Sequence, residues 1–124
     1  MAAFQELRAW RACVTLTTEI YRATAAWLAT ETYGLTSQLR RAAISAGANI
    51  AEGSAKRSAA EFARYLDVAN GSLSEVEHLL IVAREIGIAG GDECDLLEVH
   101  RSLAVRQTRR LFQAIYVRSK TNGR

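Results

Sequence analysis

Apolar side chains between residues 62 and 83 fall at Phe62, Leu66, Ala69, Leu73, Val76, Leu80 and Ala83, in alternating steps of four and three. Three heptads of that spacing keep one stripe of a helix turned toward a partner, so the segment is predicted to be a long helix packed along its whole length. Its start is signalled by Ser58-Ala59-Ala60-Glu61, a capping box in which the serine oxygen accepts from the backbone of residue 61 and the glutamate reaches back. Ile86-Gly87 marks its end. Upstream, Leu7, Trp10, Val14, Thr17 or Thr18, Tyr21 and Leu28 drift along one side at helical spacing and predict a first helix over about 5–29. A second is predicted over 35–52, capped at its start by Tyr33-Gly34 or by Thr32 and closed by Gly53 in a left-handed conformation. Gly90-Gly91-Asp92 supplies a turn and an N-cap for a fourth helix over 92–118, with Asp92, Glu93 and Asp95 placed where negative charge complements the helix dipole. The tail from Ser119 to Arg124 is expected to fray.

Four helices joined by short loops give an all-α fold, by default an antiparallel up-down-up-down four-helix bundle. A chain of 124 residues accommodates one such domain, over 1–124, with a core of its own. Proline is absent, which removes the strongest helix breaker. Apolar runs such as Leu79 to Ala83 fall far short of the roughly 18 residues of a membrane span, so no membrane association is expected. The first residues lack the basic region and apolar core of a signal peptide, and a cytoplasmic location is expected. Cys13 and Cys94 have neither the number nor the spacing of a zinc site and are read as free thiols.

The second segment carries two stripes. Leu35, Leu39, Ala42, Ala43, Ala46, Gly47 and Ile50 form a small apolar face that invites close helix approach. Gln38, Arg41, Ser45, Asn49 and Glu52 form a polar face, and Gly71, Ser72 and Glu75 make a comparable step on the third segment. Ser45, Asn49, Glu52, Ser72 and Glu75 are therefore expected to make a structural polar network, fixing helix register within the bundle or serving a contact between subunits. Carboxylates beside an amide also suit a hydrolase, but only His78 lies within a turn of Glu75, and no nucleophile accompanies them. His78 and His100 show no ligand spacing with each other or with the cysteines. No catalytic residue, metal or cofactor is expected.

Charge changes the picture more than composition does. Net charge is +3, yet residues 1–60 carry seven bases and four acids, 61–98 two bases and nine acids, and 99–124 seven bases and no acid. Arg106, Arg109 and Arg110 share one helical face, with Arg101, Arg118, Lys120 and Arg124 extending the positive run, and Arg40, Arg41, Lys56 and Arg57 form a second group. Arginine presents a planar fork that suits phosphate, so these two groups are candidate nucleic-acid contacts. The competing reading is that they pair with the acidic third segment, within the bundle or across an interface between subunits.

The run Tyr33-Gly34-Leu35-Thr36-Ser37-Gln38-Leu39-Arg40-Arg41-Ala42-Ala43-Ile44-Ser45 carries a family resemblance, together with Asn49-Ile50-Ala51-Glu52-Gly53, Phe62, and Ala69-Asn70-Gly71-Ser72 through Glu75. It resembles the bacterial four-helix bundle proteins first noted as reading frames inside intervening sequences of 23S rRNA genes, from Phe4 to about Val117. That family is similar in fold to Avd, the accessory variability determinant of diversity-generating retroelements, a homopentameric ring that binds a reverse transcriptase and nucleic acid. The resemblance implies a ring-shaped homo-oligomer, a pentamer, without enzymatic activity. RNA or DNA and a reverse transcriptase are the partners it suggests. Arg40, Arg41, Lys56, Arg57, Arg106, Arg109 and Arg110 are nominated by charge and face rather than by the resemblance. The alternative is a protein-interaction scaffold, with Trp10, Trp27 and Tyr33 as candidate aromatic anchors.

Overall fold

The computed structural model describes residues 3–31 and 34–121, and every regular element among them is helical. Helix α1 spans Arg8–Thr24, α2 Leu35–Ser54, α3 Ala59–Glu85 and α4 Gly91–Thr121, with short 3-10 turns at Phe4–Glu6 and Ala29–Glu31. Each helix packs on two others in a closed cycle: α1 against α2 and α4, and α3 against α2 and α4. Between α3 and α4 the contacts step in opposite senses, Arg84 meeting Asp95 and Glu77 meeting Arg101. The seam read from the sequence, Phe62 through Ala83, is buried at all seven positions. It meets Leu16, Ile20, Leu39, Ile50 and Leu97 at the centre, each fully enclosed and each stabilising by about 1.5–3 kcal/mol through burial. Ser58 accepts from the Glu61 amide at 3.1 Å, which forms the serine half of the expected cap. No helix among the described residues is long and apolar enough to cross a membrane.

Helix α1 departs from expectation at both ends and on its face. It starts at Arg8 rather than residue 5 and stops at Thr24 rather than 29. The Thr24 hydroxyl bonds back to the Ile20 carbonyl at 2.7 Å and accepts from Arg40 Nε at 2.8 Å. Beyond it the chain turns so that Trp27 Nε1 donates to Glu93 of α4 at 3.1 Å. Its buried line is Ala9, Ala12, Cys13, Leu16, Ile20 and Thr24. The expected line of larger side chains is only partly inside: Val14, Tyr21 and Leu28 are exposed. The buried line combines small residues, Ala9, Ala12 and Cys13, with Leu16 and Ile20, while Val14, Tyr21 and Leu28 lie at the margin.

Three termini are also corrected. Gly53 lies within α2 and is not left-handed; among the described residues only Gly87, just after α3, has a positive φ, at 78°. What Gly53 provides is room. A Cβ there would sit 2.6 Å from Tyr65 Cβ and 3.0 Å from Phe62 Cδ1, so α2 and α3 close on each other at this point. Helix α4 begins at Gly91, which places Asp92 and Glu93 in its first turn rather than leaving Asp92 as the cap, and it continues to Thr121. At the start of α2 the Leu35 amide donates to the Glu31 carboxylate at 3.3 Å. The caps expected of Thr32 and Tyr33, and Arg124 in the basic tail, lie outside the described residues.

Both cysteines are buried free thiols. Burial pushes the Cys13 thiol up to about 12; the neighbouring Thr108 hydroxyl offsets this a little, although its oxygen meets no hydrogen-bond geometry. At pH 8 about one Cys13 in ten thousand is then thiolate, the reactive form. Iodoacetamide at pH 8 is expected to leave Cys13 unmodified in the native protein and to alkylate it fully after denaturation, as read by mass spectrometry. Rapid native labelling contradicts the burial.

Candidate nucleic-acid interface

On α4 the buried stripe is Cys94, Leu97, Arg101, Ala104, Thr108, Ile115 and Ser119. With about 100° of turn per residue, fixing those positions inward carries Arg106, Arg109 and Arg110 to the surface. All three are exposed, and among the described residues none has an ion-pair partner. They line one wall of a surface groove of about 500 Å³ between α3 and α4, whose other wall presents Asn70, Ser74 and Glu77. Among the described residues these three arginines do not pair with the acidic third helix; of the positive run, Arg101 does, with Glu77.

Arg101 belongs elsewhere. The positive run included it, but it occupies a core-stripe position with 9% of its surface exposed. Its Nε and terminal nitrogen donate to the two Glu98 oxygens at 2.7 and 2.6 Å, and Glu77 stands 3.4 Å away. The fork geometry neutralises its charge within the bundle. Its register with Leu97, Ala104 and Thr108, and Glu98 three residues before it, were the signals available in the sequence. The Arg101 hydrogen bonds hold the Glu98 carboxyl below its ordinary value of 4.5, against the opposing effect of burial and with help from the Arg101 charge and the Ser102 hydroxyl. A depressed folded pKa contributes stability that is present above 4.5 and disappears as pH falls through the folded value. Melting temperature is accordingly expected to drop more steeply below pH 4.5 in the native sequence than in Glu98→Gln; parallel curves refute this.

The second basic group is divided by the structure. Arg40 is half-buried, bonded to Thr24 and lying 4.3 Å from the Tyr21 ring centroid. Arg41 is exposed on α2. Fifteen residues after Arg41, just past the end of α2, Lys56 sits 5.1 Å over the Tyr65 ring. Arg64, which the sequence reading passed over, sits 4.9 Å from the same ring, and Arg57 is exposed nearby. None of these residues lines the groove that holds the α4 arginines.

The polar stripe comes together in part. Ser72 donates to the Ser45 hydroxyl at 3.0 Å, and Asn49 Nδ2 donates to the Ser45 carbonyl and hydroxyl at 2.8 and 3.1 Å. Glu52 instead accepts from the Tyr65 hydroxyl at 3.3 Å, and Glu75 is exposed. Of the aromatic anchors, Trp10 packs edge-to-face on Phe4 at 5.2 Å and Trp27 is held by Glu93, while Tyr33 lies outside the described residues. Exposed apolar side chains collect at Leu96, Val99 and Leu103 along α4, and in a shallow depression between α1 and α2 lined by Trp10, Val14, Ile44 and Ala48.

A family model described as 23S rRNA-intervening sequence protein matches residues 5–110. No curated protein matches the chain.

Proposed function

Since the chain belongs to the 23S rRNA-intervening sequence protein family, we propose that it is a non-enzymatic, homo-oligomeric accessory protein that binds nucleic acid, RNA foremost, in the cytoplasm. The observation that carries this reading is the arginine face of α4. Arg106, Arg109 and Arg110 lie within little more than one turn, are exposed and have no ion-pair partner among the described residues. A cluster of three free guanidiniums raises local anion concentration and offers paired donors to phosphate. Arg41, Lys56, Arg57 and Arg64 supply a second, outlying basic surface, with Arg40 held closer to the bundle.

The assembly follows from resemblance and is supported by exposed apolar surface. We take the bundle to be up-down-up-down and its copies to close into a ring, a pentamer by similarity to Avd. A reverse transcriptase is a candidate partner on the same ground, although a shared fold does not transfer a function. Leu96, Val99 and Leu103, spaced three and four apart and exposed, favour a second reading: a scaffold that contacts protein and needs no nucleic acid. Titrating a short RNA with the purified protein across salt concentrations, after its mass in solution has been determined, separates the two. Phosphate contacts predict an affinity that falls steeply with salt. No binding at low salt leaves the scaffold.

A further inference from the structure

Charge changes sign along the groove between α3 and α4. The two helices pair in opposite senses, so Glu77 lies beside Arg101, while Asn70 lies toward Arg109. At one end stand Arg106, Arg109 and Arg110, with nothing neutralising them among the described residues. Toward the other end the groove reaches Glu77 and Arg101 and adjoins a second depression lined by Glu77, Arg84, Asp95 and Glu98; Arg84 is paired there with Asp95, and Arg101 with Glu98 and Glu77. A nucleic-acid strand laid along the whole groove would meet free guanidiniums only at its arginine end, because at the other end the arginines are already held by acids. One terminal nucleotide needs only the first of these ends.

We propose that this groove seats a terminal phosphomonoester of a nucleic-acid strand, rather than an internal stretch of backbone. The inference rests on the nucleic-acid reading of the same arginines. Three observations support it. Its volume of about 500 Å³ falls within the range of small-ligand sites. A phosphomonoester carries a charge of about −1.5 to −2 at pH 7, against one negative charge for an internal phosphodiester, so it gains more from the three guanidiniums that line this end. Opposite the arginines the facing wall is neutral and polar, with Ser74 exposed and Asn70 half-buried, while Glu77 lies farther along the same wall beside Arg101. Ser74 and Asn70 can face a sugar hydroxyl or base edge while the arginines hold the phosphate.

The test measures fluorescence anisotropy with one short RNA sequence in three forms, carrying a 5′-phosphate, a 3′-phosphate, or hydroxyls at both ends, at one fixed salt concentration. A phosphorylated end is expected to bind at least tenfold more tightly than the hydroxyl-ended strand. Ser74→Glu, an exposed change that adds a carboxylate to the neutral wall, is expected to erase that preference, and circular dichroism verifies its fold. Equal binding of all three RNAs overturns the proposal while the nucleic-acid reading stands. Binding of none overturns both. A nucleoside 5′-monophosphate, added as competitor, separates the sources of the phosphate. Displacement only far above the Kd of the phosphorylated RNA supports the strand end, and displacement at equal concentration overturns that assignment.

Discussion

Changing Arg106, Arg109 and Arg110 together to glutamate is expected to weaken RNA binding by at least about 100-fold near physiological salt. Hydrogen bonds to charged groups contribute roughly 1.5–3 kcal/mol each, so losing three such contacts and adding three repulsive charges exceeds two decades in affinity. The salt dependence carries a second signature. Each phosphate contact contributes about 0.7 to the slope of log affinity against log salt for a single strand, so the slope should fall by about 2. Stability should hardly move, because exposed substitutions away from caps and core usually lie within about 0.5 kcal/mol. The three side chains are exposed and make no ion pair among the described residues. Unchanged affinity in a variant that melts like the parent would remove the α4 face from the site. The same triple change made at Arg41, Lys56 and Arg57 serves as the comparison, since those residues lie on or just after α2, which does not touch α4.

Gly53→Ala should be the most damaging single-methyl addition in the bundle, lowering stability by about 1–3 kcal/mol. The new Cβ would lie 2.6 Å from Tyr65 Cβ, an atom fixed to the α3 backbone, so rotation of a side chain cannot relieve the overlap. Alanine's better helix propensity offsets at most about 1 kcal/mol of that strain. Gly47→Ala provides the contrast. There the nearest atom, Cys13 Cβ, stands at 3.5 Å, an ordinary contact, so propensity decides and the variant should equal or exceed the parent in stability. Urea denaturation of the three proteins checks both. Equal midpoints for Gly53→Ala and the parent would show that α2 and α3 can part at little cost.

These two glycines show where the sequence was legible and where it was not. The small apolar face of α2 was readable as a site of close approach, yet it pointed to Gly47, and the tight spot is Gly53. Periodicity finds the face of a helix but not the height along it at which two backbones come nearest; that depends on how the partner is shifted along its axis. On α3 periodicity sufficed, because one stripe is buried along the whole helix and recurs every three or four residues, and Ser58 caps it locally. On α1 it failed, because the line drawn through Val14, Tyr21 and Leu28 runs beside the buried one, which is made by Ala9, Ala12, Cys13, Leu16 and Ile20. The break after Thr24 depends on Arg40 and on Trp27 reaching Glu93, partners 16 and 66 residues away. The arginine face of α4 was visible in full, since its three members are neighbours on one helix. Arg101 was not, because local charge grouped it with them while its register placed it in the core stripe.

The cyclic order of contacts bears on how the chain acquires its shape. Three of the four helix pairs, α1 with α2, α2 with α3 and α3 with α4, join consecutive segments, so each can zip from its own connection with little loop entropy to overcome. The fourth, α1 with α4, joins segments separated by the whole of α2 and α3. Mostly sequential pairing of this kind belongs to the fast end of folding rates. The α1–α4 seam is the contact that turns an open row of helices into an enclosed core, in which Leu16 of α1 and Leu97 of α4 are fully buried.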